Sequence, residues 1–253
     1  MVKKIIVVKE LVKKYGNFEA VKGISFDVNE GEIFGLLGPN GAGKSTTLEI
    51  IETLRDKTSG EIWVDGFNLD KDPNEIKKII GVQLQTSGYY PGLNLTELIT
   101  LFCGLYNRDV PPLELLDLVN LRDKAKAKYK ELSGGQKQRF SIATTLINQP
   151  KIIFLDEPTT GLDPQARRSL WELIKGIRAK GTTIIITTHY MDEAEVLCDR
   201  VAIIDSGKII ALDSPDKLID KLVATGFERP REVKQANLED VFIQLTGHTL
   251  RED

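Results

Sequence analysis

Groups that bind soft metals or do redox chemistry are scarce in this 253-residue chain, which holds two cysteines, two histidines and two methionines. Cys103 and Cys198 lie far apart, with neither C-x-x-C nor Cys/His spacing, so neither a disulfide framework nor a thiolate metal site is expected. Both should be reduced and structural. An excess of basic charge is also missing: 34 Lys and Arg face 37 Asp and Glu, a net charge of -3, so nucleic acid is not expected as a partner. No apolar run approaches the roughly 18 residues of a membrane-spanning helix. Ile5-Ile6-Val7-Val8 is too short for a secretory core and is followed by Lys9, Glu10, Lys13 and Lys14, so the chain is expected to stay in the cytosol. Neither an internal repeat nor a low-complexity segment occurs. With 41% hydrophobic and 28% charged residues, what remains is a soluble globular chain with enough length for a sizeable core.

The stretch around which the chain is organised is Gly38-Pro39-Asn40-Gly41-Ala42-Gly43-Lys44-Ser45-Thr46, which fits the phosphate-loop pattern G-x-x-x-x-G-K-[ST]. Gly38, Gly41 and Gly43 lack a Cβ, so the backbone is free to take positive φ and turn several N–H groups toward one anion. Lys44 brings a mobile ammonium to the β/γ-phosphates, and Ser45 offers a hydroxyl to Mg²⁺. The apolar run Glu32-Ile33-Phe34-Gly35-Leu36-Leu37 predicts a buried strand before the loop. A helix from about Gly43 to Leu54 is predicted after it, with its positive end at the phosphates.

Upstream, residues 2–28 read as strands, with Tyr15 before the turn signal Gly16-Asn17; it is either an exposed aromatic or a platform for a purine base. Downstream, Glu61 to Val64 alternates like a strand and Asp65-Gly66 closes a turn. Ile79 to Val82 reads as another strand. It runs through Gln83 to Gln85, a residue that serves either a solvated loop or Mg²⁺ and an attacking water. From about Leu95 to Gln149 the pattern is helical, with Leu98, Leu101, Phe102 and Leu105 on one expected face, then Leu113, Leu116, Leu118 and Val119 after a break at residues 107–112. Within it, Leu132-Ser133-Gly134-Gly135-Gln136 opens a helix. Ser133 and Gln136 form a capping-box pattern. Two glycines in a first turn weaken a helix by about 1 kcal/mol each, and bare N–H groups there make a second anion site.

Lys151 to Leu155 is an apolar run ending in Asp156-Glu157-Pro158, as expected of a buried parallel strand opening onto a ligand crevice. Asp156 is placed to hold Mg²⁺ through Ser45 or water, and Glu157 to act as general base on water. Asp163 serves as N-cap, with Pro164 at the first helical position, or as a contact residue. Residues 182–188 form a β-branched strand delivering His189, so that Lys44, Asp156 and His189 should converge at one strand end. Residues 201–212 read as a hairpin turned at Ser206-Gly207, and the tail from Ser214 as short charged helices.

In order, Tyr15, Gly38 to Thr46, Gln85, Leu132 to Gln136, Ile152 to Glu157, Asp163 and His189 resemble the motif series of the ATP-binding subunit of an ABC transporter, over nearly the whole chain. The resemblance implies an α/β fold: a P-loop NTPase (RecA-like) core with an N-terminal antiparallel β region and an inserted α-helical subdomain. The implied divisions are 1–86 and 150–213 for the ATP-binding core, 87–149 for the helical subdomain, and 214–253 for the tail. It further implies two chains stacked head to tail around two Mg-ATP. Pro39, Asn40, Ala42 and the rest of residues 38–46 would hold nucleotide in cis, while Ser133, Gly134, Gly135 and Gln136 hold it in trans. Tyr15 would lie at the base, Glu157 would polarise water, His189 and Gln85 would sense the γ-phosphate, and Asp163 would cross the interface. The implied partners are a second ATP-binding subunit and an integral-membrane transporter subunit, docked on the helical insertion, which places the chain at the cytoplasmic face of the membrane. Ser214-Pro215-Asp216-Lys217-Leu218 and Leu238-Glu239-Asp240-Val241-Phe242 resemble the ABC-2 or drug-exporter type, favouring export. A soluble ABC-type ATPase is the alternative; a GTPase switch would need an N-K-x-D after a late strand, and none occurs.

Overall fold

The computed structural model describes residues 3–84 and 88–227. The chain opens with two long strands, β1 (Lys4–Tyr15) and β2 (Phe18–Asn29), then β3 (Ile33–Leu37) and helix α1 (Lys44–Ile51). Strands β4 (Ser59–Val64) and β5 (Phe67–Asn68), helix α2 (Pro73–Ile79) and strand β6 (Ile80–Gln83) follow. Three helices come next: α3 (Leu95–Tyr106), α4 (Pro112–Leu118) and α5 (Gly134–Leu146). The chain then alternates through β7 (Ile152–Asp156), α6 (Pro164–Ala179), β8 (Thr183–Thr188) and α7 (Met191–Leu197). The hairpin β9 (Arg200–Asp205) and β10 (Lys208–Asp213) leads to α8 (Pro215–Ala224). By contact density the chain divides after Leu218 into two units. Of the second, residues 219–227 are described and carry Ile219, Leu222, Val223 and Phe227 exposed.

Two sheets build the first unit. The antiparallel sheet has the order β2-β1-β4-β5, and the larger one has β10-β9-β3-β8-β7-β6, parallel except for the β9-β10 hairpin. Parallel strands covered on both faces need apolar residues on both faces, and β3, β7 and β8 supply them, with the buried Thr183, Thr187 and Thr188 at the two ends of β8. Phe34, Leu36, Phe154 and Ile185 face a cluster shared with α1 and the antiparallel sheet. Their neighbours Ile33, Leu37, Ile153, Leu155, Ile184 and Ile186 face a second cluster with Leu170 and Ile174 of α6. The period of two in a strand makes one run of sequence serve both layers.

A third apolar cluster belongs to the helical insertion and joins α3, α4 and α5 through Leu98, Leu116 and Phe140. The buried stripe of α3 is Leu95, Leu98, Ile99 and Cys103; Leu105, expected on that face, is 72% exposed. Leu101 and Leu105 continue the three-four spacing but border the open side of the helix, where Glu97, Thr100 and Gly104 are exposed. Asn94 caps α3 with a complete capping box to Glu97, which fixes the start of the insertion. The two-residue turns Asp65-Gly66 and Ser206-Gly207 both have positive φ at each position, the geometry that matches strand twist in a hairpin.

Candidate active site

Strand β3 ends at Leu37 and the chain wraps through residues 38–43 into α1, whose N-cap is Gly43 at φ 103. Gly41, at φ 80, also takes the left-handed conformation expected of it. Gly38 does not, and its reason differs: a Cβ there would stand 2.1 Å from the backbone oxygen of Ile204. Glycine is needed at 38 for space and at 41 and 43 for torsion. Nor is the Lys44 ammonium mobile. It is 4% exposed, donates to the carbonyls of Gly38 (2.8 Å) and Pro39 (3.1 Å), and lies 3.4 Å from Glu157 Oε1.

β7 delivers its two carboxylates beside this loop. Ser45 Oγ donates to Asp156 Oδ1 at 3.0 Å, and Thr187 Oγ1 donates to the same oxygen. Thr187 also accepts from the Glu157 amide, on its carbonyl at 3.2 Å and its hydroxyl at 3.0 Å. That double hold keeps Glu157 at φ 46, a left-handed conformation rare for a residue with a side chain. Turned this way, the carboxylate sits between Lys44 and His189, whose Nδ1 lies 3.2 Å from Oε2 without making a hydrogen bond. Thr160 Oγ1 donates to the same Oε2 at 3.2 Å. Burial pushes the Glu157 carboxyl up, but the contact with His189 and the charge of Lys44 outweigh it and hold it below the usual carboxylate range. Lys44, Ser45, Asp156, Glu157 and His189 therefore converge at the C-terminal ends of β7 and β8, as the crevice rule expects.

An open cleft of about 380 Å³ lies over the loop, lined by Tyr15, Phe18, Ala20, Asn40, Gly41, residues 43–46 and Glu157. Tyr15 ends β1, 41% exposed, with the cations of Lys13 and Arg55 within 5.1 and 5.5 Å of its ring. Phe18 faces the same cleft at 64% exposure and was not singled out from sequence, although it follows the Gly16-Asn17 turn directly. Thr187 was missed too, since a threonine inside a β-branched run carries no signal of its own. The donor set beside the loop suits Mg²⁺: a hydroxyl and a carboxylate, both hard oxygens, leave the other coordination positions to phosphate and water. Among the described residues no group of three or more His, Cys, Asp or Glu could hold an ion unaided.

Two sequence-derived groups stand away from this cleft. Ser133 caps α5 with a full capping box to Gln136, and Ser133 and Gly134 are exposed; none of residues 133–136 lines the cleft. A Cβ on Gly135 would lie 3.1 Å from that of Ala166, so close approach of α5 to α6 is a second reason for this glycine besides a bare N–H. Asp163 makes its cap, accepting from the Ala166 amide at 2.8 Å. Gln85 lies outside the described residues.

A glycine loop with its lysine and hydroxyl, a parallel sheet and two carboxylates at the end of β7 define a nucleotide-binding P-loop ATPase. Residues 21–160 match the family described as ABC transporter. The chain is 38% identical over 246 residues to Nod factor export ATP-binding protein I of Burkholderia orbicola (strain AU 1054), covering 95% of this chain and 81% of that one. It is 41% identical over 219 residues to linearmycin resistance ATP-binding protein LnrL of Bacillus subtilis (strain 168), covering 85% and 70%. Among solved structures it resembles the ATP-binding cassette MJ0796 in a dimeric, post-hydrolysis state with ADP and Pi. That match has a TM-score of 0.73 and 30% identity, covering 83% of this chain and 98% of that one. The chain belongs to the ABC transporter family, as an ATP-binding protein of the drug-exporter type. Among the described residues no helix is long and apolar enough to cross a membrane.

Proposed function

We propose that this chain hydrolyses ATP in a head-to-tail dimer and so powers export by a separate integral-membrane subunit. The observation that carries the reading is the Glu157 carboxylate, ionised and set between Lys44 and His189 by the two Thr187 hydrogen bonds to its amide, beside the Ser45–Asp156 pair. Glu157 accepts a proton from water, His189 orients the γ-phosphate end, and Lys44 leaves its loop carbonyls for the phosphates. Ser45 and Asp156 would hold Mg²⁺, which would supply charge to the phosphate oxygens. Tyr15 and Phe18 supply aromatic surface for the base.

Dimerisation is supported by the separation of the two anion-binding helix ends in one chain. The exposed start of α5 lies outside the cleft over this chain's own loop, so a second copy's loop would meet it, with Asp163 at the join. That arrangement is in keeping with the dimeric cassette among the structural relatives. Export is supported by the name of one relative, the Nod factor export ATP-binding protein I. A membrane subunit is supported by an open groove of about 520 Å³ on the helical insertion, where Leu93, Leu101 and Leu105 present apolar surface. On this reading the chain lies at the cytoplasmic face of the membrane. The divisions 1–86, 87–149, 150–213 and 214–253 are proposed as its working parts.

The test is Glu157→Gln. ATP affinity should persist, and turnover should fall about a hundredfold or more, within the range of a positioned general base. Unchanged turnover removes Glu157 from the role. Purification of the tagged chain from detergent-solubilised membranes should bring down a polytopic protein; recovery of ribosomes or repair proteins instead would point to a soluble ABC-type ATPase.

A further inference from the structure

His189 is the one member of the Lys44, Glu157 and His189 group whose orientation no hydrogen bond explains. Its Nδ1 finds no hydrogen-bond partner, and its side chain is 29% exposed. Besides the 3.2 Å approach of Nδ1 to Glu157 Oε2, the ring has an aromatic neighbour: the Tyr190 ring lies 4.1 Å away between centroids, tilted by 39°. On Tyr190 lies the guanidinium of Arg167, 4.6 Å from the ring centre. Arg167 Nη1 also donates to Asp192 Oδ2 at 3.2 Å, while its buried Nε has no hydrogen-bond partner. One turn further along α6, Trp171 Nε1 donates to the buried carboxylate of Glu193 at 3.0 Å. Arg167 and Trp171 share a face of α6, and both grip the first turn of α7, the turn that follows His189 in the chain. The same face of α6 begins at Asp163, whose carbonyl accepts from the Arg167 amide at 3.0 Å.

We infer that Arg167 and Tyr190 are positioning residues for His189: the stack of guanidinium on phenol on imidazole sets the ring over Glu157 and ties it to the turn that carries Asp163. A planar cation on an aromatic face keeps its energy only while the two planes stay in register. A shift of α6 at its N-terminal end is therefore passed through Tyr190 to the imidazole. The Arg167 side chain contacts Asp192 and Tyr190 rather than Lys44, Ser45, Asp156 or Glu157, and acts through the ring it orders.

This inference rests on the proposed role of His189 in hydrolysis, and its test reads the two apart. In full-length protein labelled with ¹⁵N-histidine there are two imidazoles, His189 and His248, and the first is assigned by its loss in His189→Ala. Arg167→Gln should shift and broaden the His189 resonances, whereas Tyr190→Phe, which keeps the stack, should leave turnover as in the wild type. Arg167→Gln should lower kcat about tenfold with KM for ATP within about twofold, the cost of a misplaced but present group. In a His189→Ala background the same change should lower kcat by less than about twofold, because residues acting as one unit are non-additive. Unmoved His189 resonances in Arg167→Gln, or losses that add in the double variant, overturn the inference. If His189→Ala alone leaves turnover intact, the role of His189 in hydrolysis fails, and the resonances still decide whether Arg167 positions it. Should Arg167→Gln not fold, Tyr190→Leu at the middle of the stack takes the same kinetic test against Tyr190→Phe.

Discussion

Replacing Glu52 by glutamine should make the protein more stable at alkaline pH, and the size of the gain follows from where this carboxyl sits. Glu52 ends α1 and is 2% exposed, and neither of its oxygens has a hydrogen-bond partner. Burial pushes its pKa from the ordinary 4.5 up to about 8, helped by the negative charges of Asp156 and Glu49. The folded protein therefore holds this proton more tightly than the unfolded chain does. Between pH 4.5 and about 8 the unfolded chain binds fewer protons, so stability falls as pH rises through that window. At about 1.4 kcal/mol for each pH unit, the accumulated cost is roughly 5 kcal/mol above pH 8. That is large against the roughly 5 to 15 kcal/mol typical of a whole domain. Glutamine keeps the shape and cannot ionise. Urea unfolding followed through Trp63 and Trp171, without nucleotide or magnesium, compares the two proteins from pH 5 to pH 9. These pH values are about those needed to bracket the titration. Glu52→Gln should exceed the wild type by several kcal/mol at the alkaline end and match it within about 1 kcal/mol at the acid end. All other titrating groups cancel in the difference. Parallel pH profiles for the two proteins would refute the argument.

Gly38→Ala places a methyl against the Ile204 carbonyl at 2.1 Å; it should cost about 1–3 kcal/mol or more and weaken ATP binding, both read by thermal shift with and without nucleotide. Asp163→Ala removes the cap of α6 and should cost about 1 kcal/mol, seen as a lowered Tm with hydrolysis assayed separately. Cys103 and Cys198 are both buried, and burial raises the Cys198 thiol above its ordinary value, with Glu193 and Asp199 adding to the effect. Neither should react with a thiol reagent at neutral pH until denaturant is added, when both should titrate; rapid labelling of the native protein would contradict the burial.

The sequence carried what is local and what is periodic. The glycine loop is a contiguous pattern, the capping box at Ser133 spans three residues, and the run from Lys151 to Asp156 announces a strand buried on both faces. Convergence of Ser45 with Asp156, 111 residues apart in the chain, was legible because each ends or follows a parallel strand. What stayed hidden depends on packing between segments. Glu52 reads as an ordinary charge at a helix end, and only the tertiary fold buries it. Gly38 looks like its loop neighbours until the Ile204 carbonyl is in place. Arg167 reads as one of two arginines on a polar helix face, and its contact with Tyr190 exists only once α7 lies against α6.

The carbonyl of Ala20 on β2 has a wider consequence. A Cβ on Gly43 would lie 2.7 Å from it, and one on Gly207 would lie 2.8 Å from it. Gly207 in turn donates its amide to the Ala42 carbonyl at 3.0 Å and accepts from the Lys22 amide at 2.8 Å. Three stretches remote in sequence, one from the first hairpin, one from the glycine loop and one from the last hairpin, thus close on a single point. During synthesis the loop emerges long before the hairpin that braces it, so its final shape must await nearly the whole of the first unit. Such long-range closure is slow to form. A nascent chain halted before residue 200 lacks the Gly207 brace and should bind ATP more weakly than the full chain, however much of its sheet has already assembled.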